Sequence, residues 1–583
     1  MKFRLNRLYA LSAAMLTLSF NASAFDSATP EVASGVAQTQ PSVSAKNQMV
    51  ATANPYATRA AYEILKAGGS AVDAAIAAQM VLGLTEPQSS GVGGGAFLLT
   101  FDGKKVHNYD GRETAPASVD EKLFQTDAGA DMAFYDAVVG GRSVGVPGAV
   151  AMLAMAHKRE GKLPWQRLFE PAIRLATEGF IISPRMATSI QADKYLMKDD
   201  AARAYFYQAD GVTAKAAGTL LKNPEYAQVL KTLAKQGAKA LYTGDIAKAI
   251  VAKVHAHPSN SGTLSLKDMA NYRPKMRAAV CGNYRSYTVC GPAAPSSGGV
   301  AVLQILGQLE RFNLSALKPD SAQAIHYFSE SQRLAFADRG KYLADPDFVS
   351  VPTQGLIQPN YLASRSALIS ANTSLGTATA GNPEGAKTAQ INAASPELIS
   401  TSHIAIVDKQ GHAVSMTTSI EDAFGARQMV KGFLLNNQLT DFSFSPSDKD
   451  GTLTANRVQA GKRPRSSMAP VLVFDGNGQL NMVVGSPGGS RIIGYVAQTL
   501  VNLIDWQMSP QAAVNAAHFG SRNGPKTEVE KGSALAAQIP TLKAMGHDAI
   551  EGEMTSGLAA IVKTADGYLG GVDARREGVV LGD

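Results

Sequence analysis

The apolar residues of the chain first fall into a regular pattern between Pro55 and Lys66. There Ala60, Ala61, Ile64 and Leu65 share one face at helical spacing, and Gly68-Gly69 ends the run. Ser70 follows as a cap with Asp73 three residues on, and Val72, Ala75, Ile76 and Met80 form the stripe of a second helix. The period then shortens. A glycine-rich turn at 90–95 leads into a strand over 97–101, a turn at Asp102-Gly103 and a second strand. Residues 150–255 are mainly helical, with stripes such as Val229, Leu230, Leu233 and Leu241, and 321–345 predicts another amphipathic helix.

The segment 350–398 is the longest stretch without a periodic pattern, and its last part is polar and glycine-rich. Beyond it the chain turns strand-rich. Strands are expected at 403–407, 413–418, 432–436, 469–474 and 480–485, and a glycine loop then enters a helix carrying Ile492, Ile493, Val496, Leu500 and Ile504. No internal repeat is evident. Helices on both sides of strand-rich segments predict a layered α+β fold. One junction stands out. "ELISTSHIAIVD" (397–408) runs from the polar segment through Ser400, Thr401 and Ser402 into an alternating strand. Either these are turn residues of a hairpin, or the chain is cut here and a hydroxyl residue becomes a new N-terminus.

Composition narrows the class. With 583 residues, 45% hydrophobic and 18% charged, the chain is globular and long enough for a large core or two packed units. Lys2, Arg4 and Arg7 precede an apolar run and the small-residue site Ala22-Ser23-Ala24, the pattern of a secretory signal over residues 1–24. No other stretch is long and apolar enough to span a membrane, so no anchor is expected after signal removal and the protein is expected to be periplasmic or secreted. Residues 25–50 read as a mobile Ser/Ala/Gln/Thr/Pro-rich leader. Removing residues 1–24 takes away three positive charges and no acid, so the net charge falls from +7 to +4. There is no Lys/Arg run, and no nucleic-acid partner is expected.

Two cysteines remain. In "VCGNYRSYTVCG", Arg285-Ser286 reads as a hairpin turn that sets Tyr284 against Tyr287 and Cys281 against Cys290. The latter is a non-hydrogen-bonded pair with Cα atoms about 4.5 Å apart, at the short end of disulfide spacing. An exported chain permits the bond, and a disulfide is expected. The nine histidines form no convincing ligand cluster, and no metal or cofactor is expected.

Eight short stretches carry a resemblance. They are "SGVGGGAF" (90–97), "DGRETAP" (110–116), "GVPGAV" (145–150), "PSSGG" (295–299), "TSHIAIVD" (401–408), "LLNNQLTDFS" (434–443), "KRPRSSMAP" (462–470) and "GSPGGSRI" (485–492). In this order they resemble the γ-glutamyltransferases, also called γ-glutamyltranspeptidases or glutathione hydrolases, of the N-terminal-nucleophile hydrolase superfamily. The resemblance implies a four-layer αββα fold built from two chains of one self-cleaved precursor. The matching cut lies between Ser400 and Thr401 and gives a large subunit 25–400 and a small catalytic subunit 401–583. Thr401 is then the nucleophile and Ser402 an ordinary strand residue. The polar run before the cut is the arm that moves away. Gly488 and Gly489, at a strand-to-helix junction, match the oxyanion-binding pair. Arg112, Ser466 and Ser467 match the groups on the substrate's α-carboxylate, and Gln438 and Asp441 those on its α-ammonium.

Three departures bear on specificity. Ser419 replaces the usual threonine beside the nucleophile and keeps its hydroxyl. Glu421 stands where an asparagine is usual near the α-ammonium, and its charge disfavours a glutaryl group lacking the amine. The segment between Asp441 and Ser466 holds no Tyr or Trp, implying a short polar lid and either a preference for water over amino-acid acceptors or tolerance of bulky substrates such as poly-γ-glutamate. The implied activity is cleavage of γ-glutamyl amides such as glutathione, with transfer to water or an amino acid or peptide. The competing readings are a glutaryl or cephalosporin acylase, a poly-γ-glutamate-processing enzyme, and an uncut, inactive secreted binding protein.

Overall fold

A computed structural model describes residues 41–386 and 400–583. The signal segment 1–24 and the residues just ahead of Ser400 lie outside them. Among the described residues, two seven-stranded sheets form the centre. One runs in the order Val579–Gly582, Met49–Thr52, Ser400–Val407, Ala413–Glu421, Gly95–Phe101, Val106–Gly111, Lys275–Arg277. The other runs Val43–Ala45, Gly567–Val572, Ala559–Thr564, Leu480–Gly485, Val471–Phe474, Tyr287–Gly291, Val280–Tyr284. Neighbouring strands in both are antiparallel. Each sheet mixes strands from before and after Ser400.

The period-two pattern explains the layering. In Ser400–Val407, Ile404 and Ile406 join an apolar cluster with helices Pro55–Lys66 and Ala71–Thr85, while Ala405 and Val407 join a cluster between the sheets. In Val471–Phe474, Val471 and Val473 face helices Gly298–Leu309 and Ile492–Ile504, while Leu472 and Phe474 face the other sheet. Three cores therefore separate four layers, helix–sheet–sheet–helix. The capping box predicted at Ser70–Asp73 forms, and Asp73 Oδ2 also accepts from the Lys162 and Leu163 N–H groups. Among the described residues, no helix is long and apolar enough to cross a membrane.

Several expectations need correction. The leader does not extend to residue 50: Val43–Ala45 and Met49–Thr52 are sheet strands, the second lying between Ser400–Val407 and Val579–Gly582. Short strands of small residues gain their order from distant partners, which local composition does not reveal. Helix Ala71–Thr85 is buried on every side rather than along one stripe, because other helices cover its outer face. Segment 350–398 is not structureless: it contains Thr353–Ile357 and Pro359–Ser366. Its polar run is also partly fixed. The Gly381 N–H donates to Asp338, the Ala378 N–H to Asn523, and the Thr379 carbonyl accepts from Arg365. The strand expected at 432–436 shrinks to Phe433–Leu434. At the hairpin, Tyr284 pairs with Tyr287 and Cys281 with Cys290, the two sulfurs are bonded, and the Cα atoms lie 4.1 Å apart.

Candidate active site

Thr401 sits at the mouth of the gap between the sheets. Its strand pairs regularly with Ala413–Glu421 from Val407 back to Ser402, but then the register slips: Ser402 faces Thr418 while Ser400 faces Glu421. Two residues, Ser419 and Ile420, thus oppose Thr401 alone. Such a bulge re-aims side chains where pairing ends. Here it brings Ser419 Oγ to 3.5 Å from Thr401 Oγ1 and 2.6 Å from the Ser400 carbonyl oxygen, to which it donates. The Glu421 N–H closes the turn by donating to Ser419 Oγ at 2.8 Å, and Glu421 takes a left-handed φ of 83°. Behind it, Gly94 packs so closely that a Cβ would lie 2.1 Å from the Ser419 carbonyl oxygen.

The second sheet supplies the facing wall. Leu480–Gly485 ends in a turn in which Gly488 and Gly489 have φ of 137° and 56°, conformations that L side chains rarely adopt. The turn runs through Gly489–Arg491 into helix Ile492–Ile504, so the positive end of the helix dipole lies at the cleft.

The remaining predicted groups converge on the same cleft. Its lining includes Arg112, Thr401, Ser419, Glu421, Gln438, Asp441, Ser466, Ser467 and Gly489, together with Met468 and Ile492. Arg112 is wholly buried and pairs with Asp441, which is also nearly buried, so neither belongs to a surface salt bridge. The Arg112 fork is held by the carbonyls of Pro464 at 3.0 Å and Arg465 at 2.7 Å. Gln438 Nε2 donates to Asp441 at 2.7 Å, and Asn437 Nδ2 donates to Glu421. Ser466 Oγ accepts from the Met468 N–H at 3.1 Å, a local turn bond, while Ser467 Oγ accepts from Arg339 at 2.7 Å. Among the described residues, Arg112 Nη1 and Gln438 Oε1 have no hydrogen-bond partner although both are buried. Unfilled capacity of this kind inside a cleft marks where a polar ligand fits.

Other groups were not singled out from the sequence. Arg576 donates to the Thr401 carbonyl at 2.9 Å, and Arg339 bridges Ser297 and Ser467. Neither lies in a stretch that the sequence marks out, and each makes a contact with a residue more than 100 positions away. Glu113, next to Arg112, is fully buried, and desolvation outweighs the nearby guanidinium, pushing its carboxyl up to about 8. Ser402 is not an ordinary strand residue: it is buried and its hydroxyl donates to Glu86 at 2.5 Å. His403, the next residue inward from Thr401 on the same face, bonds Thr417, and burial lowers its pKa to about 3. It is a neutral ring whose hydrogen bond among the described residues goes to Thr417 rather than to Thr401.

The lid segment packs down. Phe442 and Phe444 join Phe124, Leu439 and Val458 in a separate apolar cluster, and Lys462 and Gly461 bond the Ala115 backbone. Among the described residues lining the cleft, none is aromatic. Elsewhere, His326, Glu330 and His547 approach within 4.8 Å, a grouping that could hold a metal ion. Their atoms are already used. His326 bonds Ser370 and His547, His547 bonds Thr527, and Glu330 accepts from Ser374 and Leu375.

Comparison with known proteins agrees with this geometry. The family profile described as Gamma-glutamyltranspeptidase matches residues 57–583. The chain is 35% identical over 512 residues to the glutathione hydrolase proenzyme of Bacillus subtilis (strain 168), covering 86% of this chain and 85% of that protein. It is 33% identical to the acylase ACY 1 proenzyme of Pseudomonas sp. (strain SE83), covering 93% and 94%. Among solved structures, the cephalosporin acylase from Bacillus halodurans superposes with a TM-score of 0.81 at 27% identity, covering 94% and 97%. With an αββα sandwich, a hydroxyl residue at its mouth and a family match over nearly all of its length, the chain belongs to the γ-glutamyltranspeptidase family.

Proposed function

We propose that this is an exported, self-cleaving γ-glutamyl hydrolase and transferase acting on glutathione and related γ-glutamyl amides, with Thr401 as its nucleophile. The observation that carries the reading is the convergence of Thr401, Ser419 and a buried Arg112–Asp441 pair on one cleft. In the precursor, Ser419 polarises the Ser400 carbonyl. Thr401 Oγ1 adds to that carbon, the peptide nitrogen leaves, and the acyl group shifts to the threonine oxygen as an ester. Water hydrolyses the ester, leaving chains 25–400 and 401–583 paired as a heterodimer with a free Thr401 amine.

That amine titrates near ~8 and can take the proton of its own hydroxyl. Oγ1 then attacks the γ-carbonyl of the substrate. The N–H groups of Gly488 and Gly489 face the developing oxyanion, where losing one donor typically costs ~10²–10³ in rate. The leaving amine takes the proton back, and water or an acceptor amine resolves the ester. A zwitterion suits the far end of the cleft. Arg112 and the Ser466 and Ser467 hydroxyls face a carboxylate; Asp441, Glu421 and Gln438 face an ammonium. Within the cleft, Arg112 and Asp441 neutralise each other.

The acylase relatives favour a second reading, hydrolysis of glutaryl-type amides. The carboxylates of Glu421 and Asp441 oppose it, because a glutaryl group brings no ammonium to offset them. Two measurements decide. Mass analysis of the purified protein is expected to give two chains, the smaller beginning at Thr401; a single uncut chain would sink the mechanism. A γ-glutamyl anilide is expected to turn over faster than the glutaryl anilide, and the reverse order would favour the acylase. With no aromatic over the cleft, hydrolysis is expected to exceed transfer, so glycylglycine should accelerate turnover little.

A further inference from the structure

Among the described residues, the Thr401 side chain has one hydrogen bond, the long one to Ser419. Its aim therefore depends on the residues around it. Those residues are held by one segment from the other side of the cut, Glu86 to Ser90, at the end of helix Ala71–Thr85. Ser400 Oγ donates to the Gln88 carbonyl, and Ser402 Oγ donates to Glu86 Oε2. The Ile420 N–H donates to the Ser89 carbonyl and the Phe424 N–H to the Gln88 carbonyl. Both sides of the bulge are thus fastened to five consecutive residues.

Glu86 occupies a costly position. It is 1% exposed, and it follows the last turn of a helix, where the dipole disfavours negative charge. Arg185, also wholly buried, offsets the charge with a 2.7 Å pair and bonds Ser89. The Arg185 backbone N–H reaches Glu577, the neighbour of the Arg576 that holds the Thr401 carbonyl. Buried ion pairs add little stability over an apolar replacement, and their best-attested value is fixing one arrangement.

We propose that Glu86 is a positioning residue for Thr401, acting through Ser402 and held in place by Arg185. This rests on the reading of Thr401 as nucleophile. It predicts a role in both the self-cut and turnover, because Ser402 stays tied to Glu86 after the Ser400–Thr401 bond is broken.

The test uses the full chain with four variants: Ser402→Ala, Ser402→Thr, Glu86→Asp and Thr401→Ala. Ser402→Ala leaves the Glu86–Arg185 pair intact. Glu86→Asp keeps the charge but withdraws the carboxylate from Ser402. A denaturing-gel time course follows the cut, and a γ-glutamyl anilide gives kcat and KM for the cut fraction. Ser402→Ala and Glu86→Asp are expected to slow the cut and to lower kcat on the order of 10-fold, the scale of a small misplacement of a reacting group. KM is expected to stay within about two-fold, because the zwitterion clamp is untouched. Ser402→Thr is expected to restore both rates. Wild-type kcat in either impaired variant, a loss confined to KM, or a Ser402→Thr chain as slow as Ser402→Ala would overturn the assignment. The Thr401→Ala chain separates this failure from the deeper one: if it is still cut and active, the nucleophile itself is misassigned.

Discussion

Arg112 with Asp441, and His326 with His547, each join a residue before Ser400 to one after it, and both pairs are buried. They differ in how fully they are satisfied. The histidines admit one consistent set of neutral tautomers. His326 Nε2–H donates to the Ser370 carbonyl, so its Nδ1 accepts from His547 Nε2–H, whose Nδ1 accepts from the Thr527 hydroxyl. Thr527 in turn accepts from Arg333. Every ring nitrogen is used. Around Arg112, by contrast, Arg112 Nη1, both Glu113 oxygens and Gln438 Oε1 lack hydrogen-bond partners among the described residues. A saturated cluster closes on itself and behaves as a staple. An unsaturated one leaves polar atoms open to a further partner.

The contrast can be broken at either cluster. The largest effect is expected at the clamp. Arg112→Ala is expected to lower kcat/KM for a γ-glutamyl anilide by about 10²-fold or more, since the charge-assisted contact offered by Nη1 is lost and the Asp441 charge loses its guanidinium partner. Arg112→Lys should recover only part, because an ammonium cannot reproduce the fork. An Arg112→Ala enzyme with unchanged kcat/KM would leave the clamp without a ligand role. A smaller effect is expected at the staple. His547→Ala should cost about 1–3 kcal/mol of stability, read as a lower Tm, with kcat/KM within about two-fold. A metal-dependent Tm in the native protein would instead mean the histidines hold an ion.

The smallest effect concerns pH, and its sign differs between the clusters. Glu113 ordinarily titrates at 4.5 and is raised to about 8 by burial, so the folded protein holds a proton that the unfolded chain releases. Its contribution is complete below pH 4.5 and is lost as pH rises to about 8. His547 ordinarily titrates at 6.5 and is lowered to about 3, chiefly by burial, so its contribution is complete above pH 6.5 and is lost as pH falls. Glu113→Gln should flatten the fall of Tm on the alkaline side and leave the acid side unchanged. An unaltered Tm–pH curve in that variant would mean the Glu113 carboxyl is ionised in the fold.

Much of the clamp was legible in the sequence because its residues sit in short motifs that resemble those of a known family; residue type and spacing alone did not assign them. Arg112, Asp441, Ser466 and Ser467 fall in such runs, and the structure brings them to one cleft. The staple was not legible, since His326 and His547 lie 221 positions apart and neither has a local signature. Glu86 was hidden for a similar reason: its partner Ser402 is 316 positions away. Alternation located the strands around Thr401, but not the bulge, which depends on how two strands meet. Residues 43–50 looked like leader because their order comes from distant strands, Ser400–Val407, Gly567–Val572 and Val579–Gly582.

The mixing of strands within both sheets has a consequence for the cut proposed at Ser400–Thr401. A break at Ser400–Thr401 separates the chain on paper but not in space. Met49–Thr52 still lies between Ser400–Val407 and Val579–Gly582, and Tyr287–Gly291 still pairs with Val471–Phe474. Neither piece has a complete sheet of its own, so the two cannot part without unfolding. Activity per molecule should therefore be independent of dilution, and mixing separately produced pieces should not restore it.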